Sequence, residues 1–538
     1  RTDYRMKGLD VRVTATYNTS IDNTHIINLF GGFENSSIDR TRSWFRGWGY
    51  QYDKGGTPFY DYNVFKQGKE ENTNYYTNEA TYTRSVAFFF MGTYSYKGIY
   101  TLTGTGRYEG TNRLGKSRSA RWLPTWNVAG AWNVHEEKFY SNFTNPVLSH
   151  ATLKASYSLT ADRGPAFVTN SQAILNSYSP WRPSASVTES GMRITELENS
   201  ELTYEKKHEF NVGIDLGFLK NRLNLAADYY RRNNFDLIGV INTQGAGGTI
   251  AKYANIASMK SSGIELTISS KNMRTKDFSW NTDFIFSKTK NEITDLKSHA
   301  NVLSLISGNG FGREGYPVRG LFSIPFAGLT EDGLPTFINQ DGQKTISSFN
   351  FQEYEKLDFL KYEGPTDPTI TGSFGNILTY KNLKLNVFVT YSFGNVIRLD
   401  PVFSNAYSDL DAMPKEFKNR WMKAGDENVT NIPTIVSTRM NQQYAYLNMA
   451  YNAYNYSDVR IADGGFIRLK EISLSYDLPA KVINFFRLNK LQLKLQATNL
   501  CLLYADSKLN GQDPEFFRSG GVSTPVPKQF TFTVRLGL

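Results

Sequence analysis

The chain ends in KQFTFTVRLGL, and the alternation in that stretch limits the possible folds more than any other feature. Phe530, Phe532, Val534, Leu536 and Leu538 fall on one side of an extended strand, and Gln529, Thr531, Thr533, Arg535 and Gly537 on the other. Such a strand needs neighbours on its edges, because an unpaired edge templates aggregation. Its apolar side also needs a wide dry surround, which is either a protein core or lipid.

The same period recurs upstream. Phe278, Trp280, Thr282, Phe284 and Phe286 oppose Ser279, Asn281, Asp283 and Ile285. Leu383, Leu385, Val387, Val389 and Tyr391 oppose Lys384, Asn386, Phe388 and Thr390. Leu491, Leu493, Leu495 and Ala497 oppose Gln492, Lys494, Gln496 and Thr498. Repeated Lys and Gln on the second face would be costly inside a packed sandwich, whereas a wet lumen solvates them. No segment approaches the roughly 18–20 consecutive apolar residues that a membrane helix needs. A transmembrane barrel escapes that criterion, since its alternation makes the mean hydropathy polar. The aromatic content, 33 Tyr, 36 Phe and 8 Trp, suits girdles where a ring has one dry end and one wet end.

Strand-like segments fall at 6–17, 24–33, 85–96, 99–109, 122–134, 151–160, 204–217 and 222–234. They continue at 259–271, 277–290, 369–380, 383–394, 464–476, 489–500 and 528–538. This is about fifteen strands, each near the ~9–11 residues that cross a bilayer. Tight turns at Lys97–Gly98, Leu219–Asn221, 272–277 and Lys381–Asn382 all fall on one side if the C-terminus is periplasmic. The long links, 34–84, 161–203, 291–368 and 394–463, fall outside, as in outer-membrane barrels. The stretch 315–329 breaks this parity if it spans, so it is assigned to an external loop. In 464–479 the apolar parity switches between Leu469 and Ile472, which predicts a bulge near Lys470–Glu471. The one helical piece expected is 479–488.

Cys501 is the single cysteine, so no internal disulfide forms, and it reads as a small buried residue. The net charge of +10 is dispersed over strands and loops, which argues against nucleic acid as a partner. No signal peptide opens the sequence, so a mature or truncated product is expected. His25, His135, His150, His208 and His299 lack metal-ligand spacing, and the glycines of 307–315 neither follow a buried strand nor open a helix. No catalytic constellation is present, and the chain is not read as an enzyme. No cofactor or structural metal is called for. Asp409 and Asp411 offer two carboxylates for a surface calcium, too few to define a site.

Two loops invite ligands. The basic segment with Arg113, Lys116, Arg118 and Arg121 faces outside, where lipopolysaccharide phosphates suit Arg forks; the competing reading is a solvated cationic loop. The aromatic segment 441–460 interleaves Tyr444, Tyr446, Tyr451, Tyr454 and Tyr456 with Asn and Gln, and Tyr407 and Trp181 lie in external loops as well. Rings stack on sugars or peptide side chains while amides bond hydroxyls. The same tyrosines suit an interfacial girdle or a docking surface for a lid subunit.

Several stretches resemble one family. LTYEKKHEFNVGIDLGFLKNRLNLAADYYRRN (202–233), MKSSGIELTISSKNMRTKDFSWNTDFIFS (259–287), GGFIRLKEISLSYDLP (464–479), LQLKLQATNLCLL (491–503) and the final VPKQFTFTVRLGL are similar to the barrel of SusC/RagA-type TonB-dependent transporters of Bacteroidota outer membranes. The resemblance implies an all-β antiparallel transmembrane barrel of about 22 strands, of which 1–538 is the C-terminal part, with the plug and about seven strands absent. It implies a SusD-like lipoprotein over the external mouth, energy from TonB–ExbB–ExbD through the missing plug, and import of oligosaccharides or oligopeptides. The usual terminal Phe is Leu538 here. Two alternatives stay open: a SusC-like barrel used as a scaffold in a larger outer-membrane assembly, and a soluble polysaccharide-binding β-protein whose sheets have dry inner faces.

Overall fold

A computed structural model of the chain describes residues 1–538 except 60, 72, 74, 143–146, 165–172, 179–188, 244, 246–250, 409, 411, 412, 486, 487, 518–524 and 538. The terminal Leu538 therefore lies outside the described residues. The principal sheet holds fifteen strands hydrogen-bonded in chain order. They are β1 (Thr2–Ile21), β2 (His25–Phe45), β3 (Tyr76–Tyr96), β4 (Tyr100–Thr111), β5 (Trp122–Asn133), β6 (Leu148–Asp162), β7 (Glu205–Phe218) and β8 (Leu223–Asn242). The series continues with β9 (Ala251–Arg274), β10 (Phe278–Leu296), β11 (Ile370–Tyr380), β12 (Leu383–Phe393), β13 (Phe466–Asp477), β14 (Lys490–Ala505) and β15 (Gln529–Gly537). No described helix is long and apolar enough to cross a membrane.

Tight hairpins join β1–β2, β3–β4, β7–β8, β9–β10 and β11–β12. The links β1–β2, β3–β4, β7–β8 and β11–β12 place Asp22, Asn23, Lys97, Leu219, Lys220, Asn221 and Lys381 at positive φ, the left-handed backbone of tight hairpins. The intervening connections carry the long segments. The β2–β3 connection is shorter than the sequence suggests. β2 and β3 each run 21 residues and pair as far as Phe45 with Tyr76, so their ladder enters the expected 34–84 loop. The outer halves are polar on both faces and lack an apolar period, yet backbone pairing does not require one. Cross-strand ion pairs Arg84–Asp39 at 2.6 Å and Arg42–Glu79 at 3.5 Å reinforce it.

The chain divides into two compact units, one of 1–132, 154–210 and 233–258, the other of 133–153, 211–232 and 259–538. In the second unit, register joins Trp280, Leu378, Leu385, Leu474, Leu495 and Phe532 into one apolar row across β10–β15. The row beside the tight turns holds Phe278, Tyr380, Leu383, Tyr476, Leu493 and Val534. The opposite face carries Thr379, Lys384, Ser475, Lys494 and Thr533 in register. There, Asn386 donates to Glu471 at 3.2 Å and Lys494 lies 3.8 Å from the same carboxylate.

The apolar face is bare. Phe530, Phe532 and Leu495 are 75%, 62% and 58% exposed, so no second layer of described residues covers it. Its one amide, Asn376, accepts from Trp280 Nε1 and Thr282 Oγ1, each at 2.8 Å, which shields a polar group from hydrocarbon. Cys501, expected to be buried, is exposed; it pairs with Leu469 on this face, where lipid rather than protein is the cover. The bulge expected near Lys470–Glu471 is present: Val389 pairs with Leu469 and Phe388 with Glu471, so Lys470 is skipped and both apolar sets share a face.

The first unit repeats the pattern. Ile21, His25, Tyr96, Tyr100 and Trp132 are successive partners beside the tight turns. His25 packs on Tyr96 with centroids 5.2 Å apart, and Tyr100 stacks on Trp132 at 6.3 Å. Aromatics gathered at strand ends form the girdle expected at a bilayer interface.

The second unit also contains a layer built from connections. The segment expected not to span, 315–329, forms short strands Gly320–Ser323 and Phe326–Leu329 that pair outside the principal sheet. It packs on the helix Leu447–Asn455, which shows that 479–488 is not the one helical piece; there, the described helix is Ala480–Phe485. Leu447, Ala450, Tyr451 and Tyr454 recur at i, i+3, i+4 and i+7 and are all at most 2% exposed. Around them lie Leu305, Ile306, Phe322, Ile324, Leu334 and Phe337, a dry core outside the principal sheet.

Two outcomes test this description. Leu495→Arg is expected to destabilise the protein in lipid vesicles by about 2–4 kcal/mol, the cost of a cation on the lipid face, while Thr533→Arg on the polar face changes stability little. Denaturant unfolding of both variants measures it. Tyr454→Ala is expected to cost the connection layer about 3–5 kcal/mol and open it to limited proteolysis, whereas Tyr446→Ala leaves the cleavage pattern unchanged.

Candidate ligand and partner surfaces

The aromatic segment does not act as one surface. Its residues divide by their place relative to the helix Leu447–Asn455. Tyr451 and Tyr454 point into the core, and burial pushes both phenols well above their ordinary value. Tyr451 spends its hydroxyl on the Thr434 carbonyl at 2.5 Å, and Tyr454 meets Phe403 edge-on at 5.0 Å. Both are thereby removed from the set that a ligand or lid could touch. The helical spacing of Leu447, Ala450, Tyr451 and Tyr454 was the available signal, masked by the Asn and Tyr content of the segment. Tyr456 is half-buried under the Arg398 guanidinium at 5.7 Å.

Tyr444 and Tyr446 remain at the surface. Tyr446 is 70% exposed and sits at φ +62°, between the helices Thr438–Gln443 and Leu447–Asn455. The Tyr444 hydroxyl donates to Asp332 at 3.0 Å, a bond that raises its pKa. Tyr444 borders an open cavity of about 540 Å³ with Gln443, Thr330, Lys344, Thr345 and Ser347. Hydroxyls, one amide, one ammonium and a phenol face is a set suited to a hydroxyl- or amide-rich ligand. Tyr407 accepts from the Ser404 amide at 2.9 Å and packs edge-on against Phe417 at 5.5 Å, a loop-stiffening role. Trp181, Asp409 and Asp411 lie outside the described residues.

Sequence reading missed the arginines that hold this layer. Arg398 is buried and donates to the carbonyls of Ser457 at 3.0 Å and Phe322 at 2.6 Å, and to Ser323 Oγ at 2.9 Å. It ties the strand Gly320–Ser323 and the Ser457 turn to one cation. Burial pulls its pKa down to about 10, opposed by the Glu363 carboxylate, so it stays charged at neutral pH. Arg460 pairs with Glu416, donates to the Asp400 carbonyl and lies over Phe403. Arg468, on β13, donates from Nη2 to both carboxylate oxygens of Asp513 at 2.6 and 2.7 Å, which fastens the β14–β15 connection to the sheet. Arginines inside otherwise apolar runs, VIRL and FIRL, were the signal.

In the first unit the polar face carries an ion-pair ladder. Arg107 bridges Glu34 at 2.8 Å and Glu109 at 2.6 Å; Arg12 adds a contact to Glu34, and Arg163 pairs with Glu109. Register explains the bridge. Ala87 lies between Glu34 and Glu109, and its small side chain leaves room for Arg107 to reach both.

The basic loop in the same unit is folded on itself. Leu114 is fully buried with Leu202 and Tyr204. Ser117 accepts from the Ala120 amide at 3.1 Å and caps the turn Arg118–Arg121. Arg121 donates to the Gly115 carbonyl at 2.9 Å, and Lys116 pairs with Glu198 at 2.9 Å. Gly115 is needed there, because a Cβ would meet the Ser200 carbonyl oxygen at 2.0 Å. Of the four cations, Arg113 is half-buried and Arg118 is exposed. The histidines hold structural places: His135 of the β5–β6 connection packs on His150 of β6 at 4.1 Å, and His208 stacks between Tyr157 and Phe235.

The family described as TonB dependent receptor-like, beta-barrel matches residues 1–500. TonB-dependent receptor P3 of Formosa agariphila is 24% identical over 93% of this chain and 48% of its own length. TonB-dependent receptor SusC of Bacteroides thetaiotaomicron is 26% identical over 86% of this chain and 44% of its own. Among solved structures, the RagAB peptide transporter superposes on the whole chain with a TM-score of 0.78 at 22% identity, and 56% of that chain is covered. The chain thus spans about half the length of the relatives it matches. A bare apolar sheet face with aromatic rows, a polar opposite face and these relatives agree: the chain belongs to the TonB-dependent receptor-like β-barrel family, is of the SusC/RagA type, and resides in the outer membrane.

Proposed function

We propose that this chain is the C-terminal barrel part of an outer-membrane importer of oligosaccharides or oligopeptides. It works with a SusD-like lipoprotein at the external mouth and is energised through TonB–ExbB–ExbD. In this reading the fifteen strands belong to a barrel of about 22, closed with strands outside this sequence. β1 and β15 stand at the two ends of the strand order and are the places where such strands would pair. The mechanism contains no bond-breaking step. A ligand is captured at the mouth and admitted when energy from the inner membrane displaces the plug.

The observation that carries the reading is the division of labour within one sheet: hydrocarbon-compatible rows on one side, hydrated and ion-paired rows on the other. A soluble polysaccharide-binding protein would need its Phe and Leu rows covered, and they are bare. The cavity at Tyr444 supports ligand capture, since it offers a ring face beside hydroxyl and amide groups. Polysaccharide and peptide both fit that chemistry, and the RagAB structure is that of a peptide transporter.

Uptake by cells carrying the full-length protein and its lipoprotein tests the proposal, with labelled oligosaccharides and oligopeptides offered separately. Uptake of one class is expected to fall at least tenfold when TonB is deleted. Tyr444→Ala is expected to lower it severalfold with unchanged outer-membrane abundance. Uptake of neither class, together with co-purification of assembly factors in place of a lipoprotein, would overturn importing in favour of scaffolding.

A further inference from the structure

The outward face of β8, β9 and β10 changes character along its length. On β8 it reads Leu223, Leu225, Ala227 and Tyr229, then Arg231. On β9, counted from the turn end, it reads Ile268, Leu266, Ile264 and Ser262, then Lys260. On β10 it reads Trp280, Thr282, Phe284 and Phe286, then Lys288 and Lys290. On β10 register fixes this as the face of the apolar rows, since Trp280 pairs with Leu378 and Phe284 with Phe374. Asn272 of β9 donates to Thr282 across that face, and Tyr229 and Arg231 of β8 share a groove with Ser262 and Lys290, which places all three strands' residues on it. Each strand therefore turns from apolar to cationic at its end remote from the tight turns. Leu223 and Arg231 are eight residues apart, about 26 Å along the strand, close to the ~25 Å apolar band of an outer-membrane barrel.

The cations converge. Arg231, Lys260 and Lys290 border one groove of about 220 Å³ with Tyr229 and Ser262. Glu292 is the one acid on it, and Lys290 reaches it at only 3.9 Å. Among the described residues, Arg231, Lys260 and Lys288 form no ion pair. A row of cations with a single acid among them, at the rim of a lipid-facing surface, is complementary to anionic headgroups of the outer leaflet.

We propose that Arg231, Lys260 and Lys290 form a binding site for the phosphoryl groups of lipopolysaccharide on the outer wall of the barrel. Arg231 supplies the fork, Lys260 and Lys290 supply ammonium donors, and the Tyr229 ring and the aliphatic rows beneath receive the acyl chains. The site rests on the outer-membrane reading but not on import. It also differs from the basic loop at 113–121, where Lys116 and Arg121 already have partners within the protein.

Native mass spectrometry of the full-length protein in mild detergent tests it, with purified lipopolysaccharide titrated in intact and dephosphorylated forms. Wild type is expected to retain intact lipopolysaccharide, and retention is expected to fall at least tenfold for the dephosphorylated form. The variant R231Q/K260Q/K290Q is expected to lose the difference between the two forms, while R113Q/R118Q keeps it. Equal retention of both forms by wild type, or an undiminished difference in the triple variant, overturns the proposal. Single variants with Arg231→Lys or Lys290→Gln, expected to weaken retention partially, serve where the triple variant folds poorly. Failure of the wild-type protein to fractionate with the outer membrane would instead overturn the membrane reading itself.

Discussion

Strand register is the constraint on which everything else depends. The side-chain period of a strand is two, so a slip of one residue would carry Leu495 to the wet side and Lys494 to the lipid side. Fixed register across β10–β15 aligns Trp280, Leu378, Leu385, Leu474, Leu495 and Phe532 into one row and leaves Lys384 and Lys494 behind it. The bulge at Lys470 shows how strongly alignment is enforced. One residue is extruded so that Ile467 and Leu469 share a face with Ile472 and Leu474. The polar exception on the apolar face, Asn376, is tolerated because Trp280 and Thr282 donate to it.

A sheet of this kind leaves its connections free to build. The layer of the second unit has a core of its own, with Tyr451 and Tyr454 packed among Phe322, Leu334 and Phe337. Its cohesion comes from buried cations as well as apolar contact. Arg398 satisfies two carbonyls and a hydroxyl from separate segments, and a buried charge with such partners is costly to disturb because removal strands every one of them. The tyrosines left at the surface, Tyr444 half-buried and Tyr446 exposed, precede the helix that buries their neighbours. A rigid layer bearing a few exposed rings beside hydroxyl and amide groups is how a loop presents a recognition surface without paying for its ordering on binding.

The strands were legible because alternation against a lipid surround is written directly into side-chain order. β15, the bulge at Lys470 and the exclusion of 315–329 from the sheet all followed from parity. The outer halves of β2 and β3 did not, because Arg84–Asp39 and Arg42–Glu79 hold them by ladder bonds and ion pairs that leave no apolar period. The helix at Leu447 was hidden by residues of weak helix propensity, its formation decided by burial of one stripe. Cys501 was misplaced for a related reason: a small apolar residue on a lipid-facing row belongs to an apolar environment without belonging to a protein core. Of the tyrosines proposed for ligand contact, sequence composition identified the segment, and only the three-dimensional packing separated Tyr444 and Tyr446 from Tyr451 and Tyr454.

Site-directed spin labelling along β12, a strand with neighbours on both sides, tests the central claim most directly. Labels are placed one at a time at 383–390 in full-length protein with Cys501→Ser, reconstituted in lipid vesicles. Collision with oxygen, which partitions into hydrocarbon, is expected to peak at Leu383, Leu385, Val387 and Val389, and collision with a water-soluble nickel chelate at Lys384, Asn386 and Thr390. The two profiles are expected to run in antiphase with a period of two. Positions 383, 385, 387 and 389 shielded from both reagents would mean that protein covers that face, and the account of a lipid-facing wall would be contradicted.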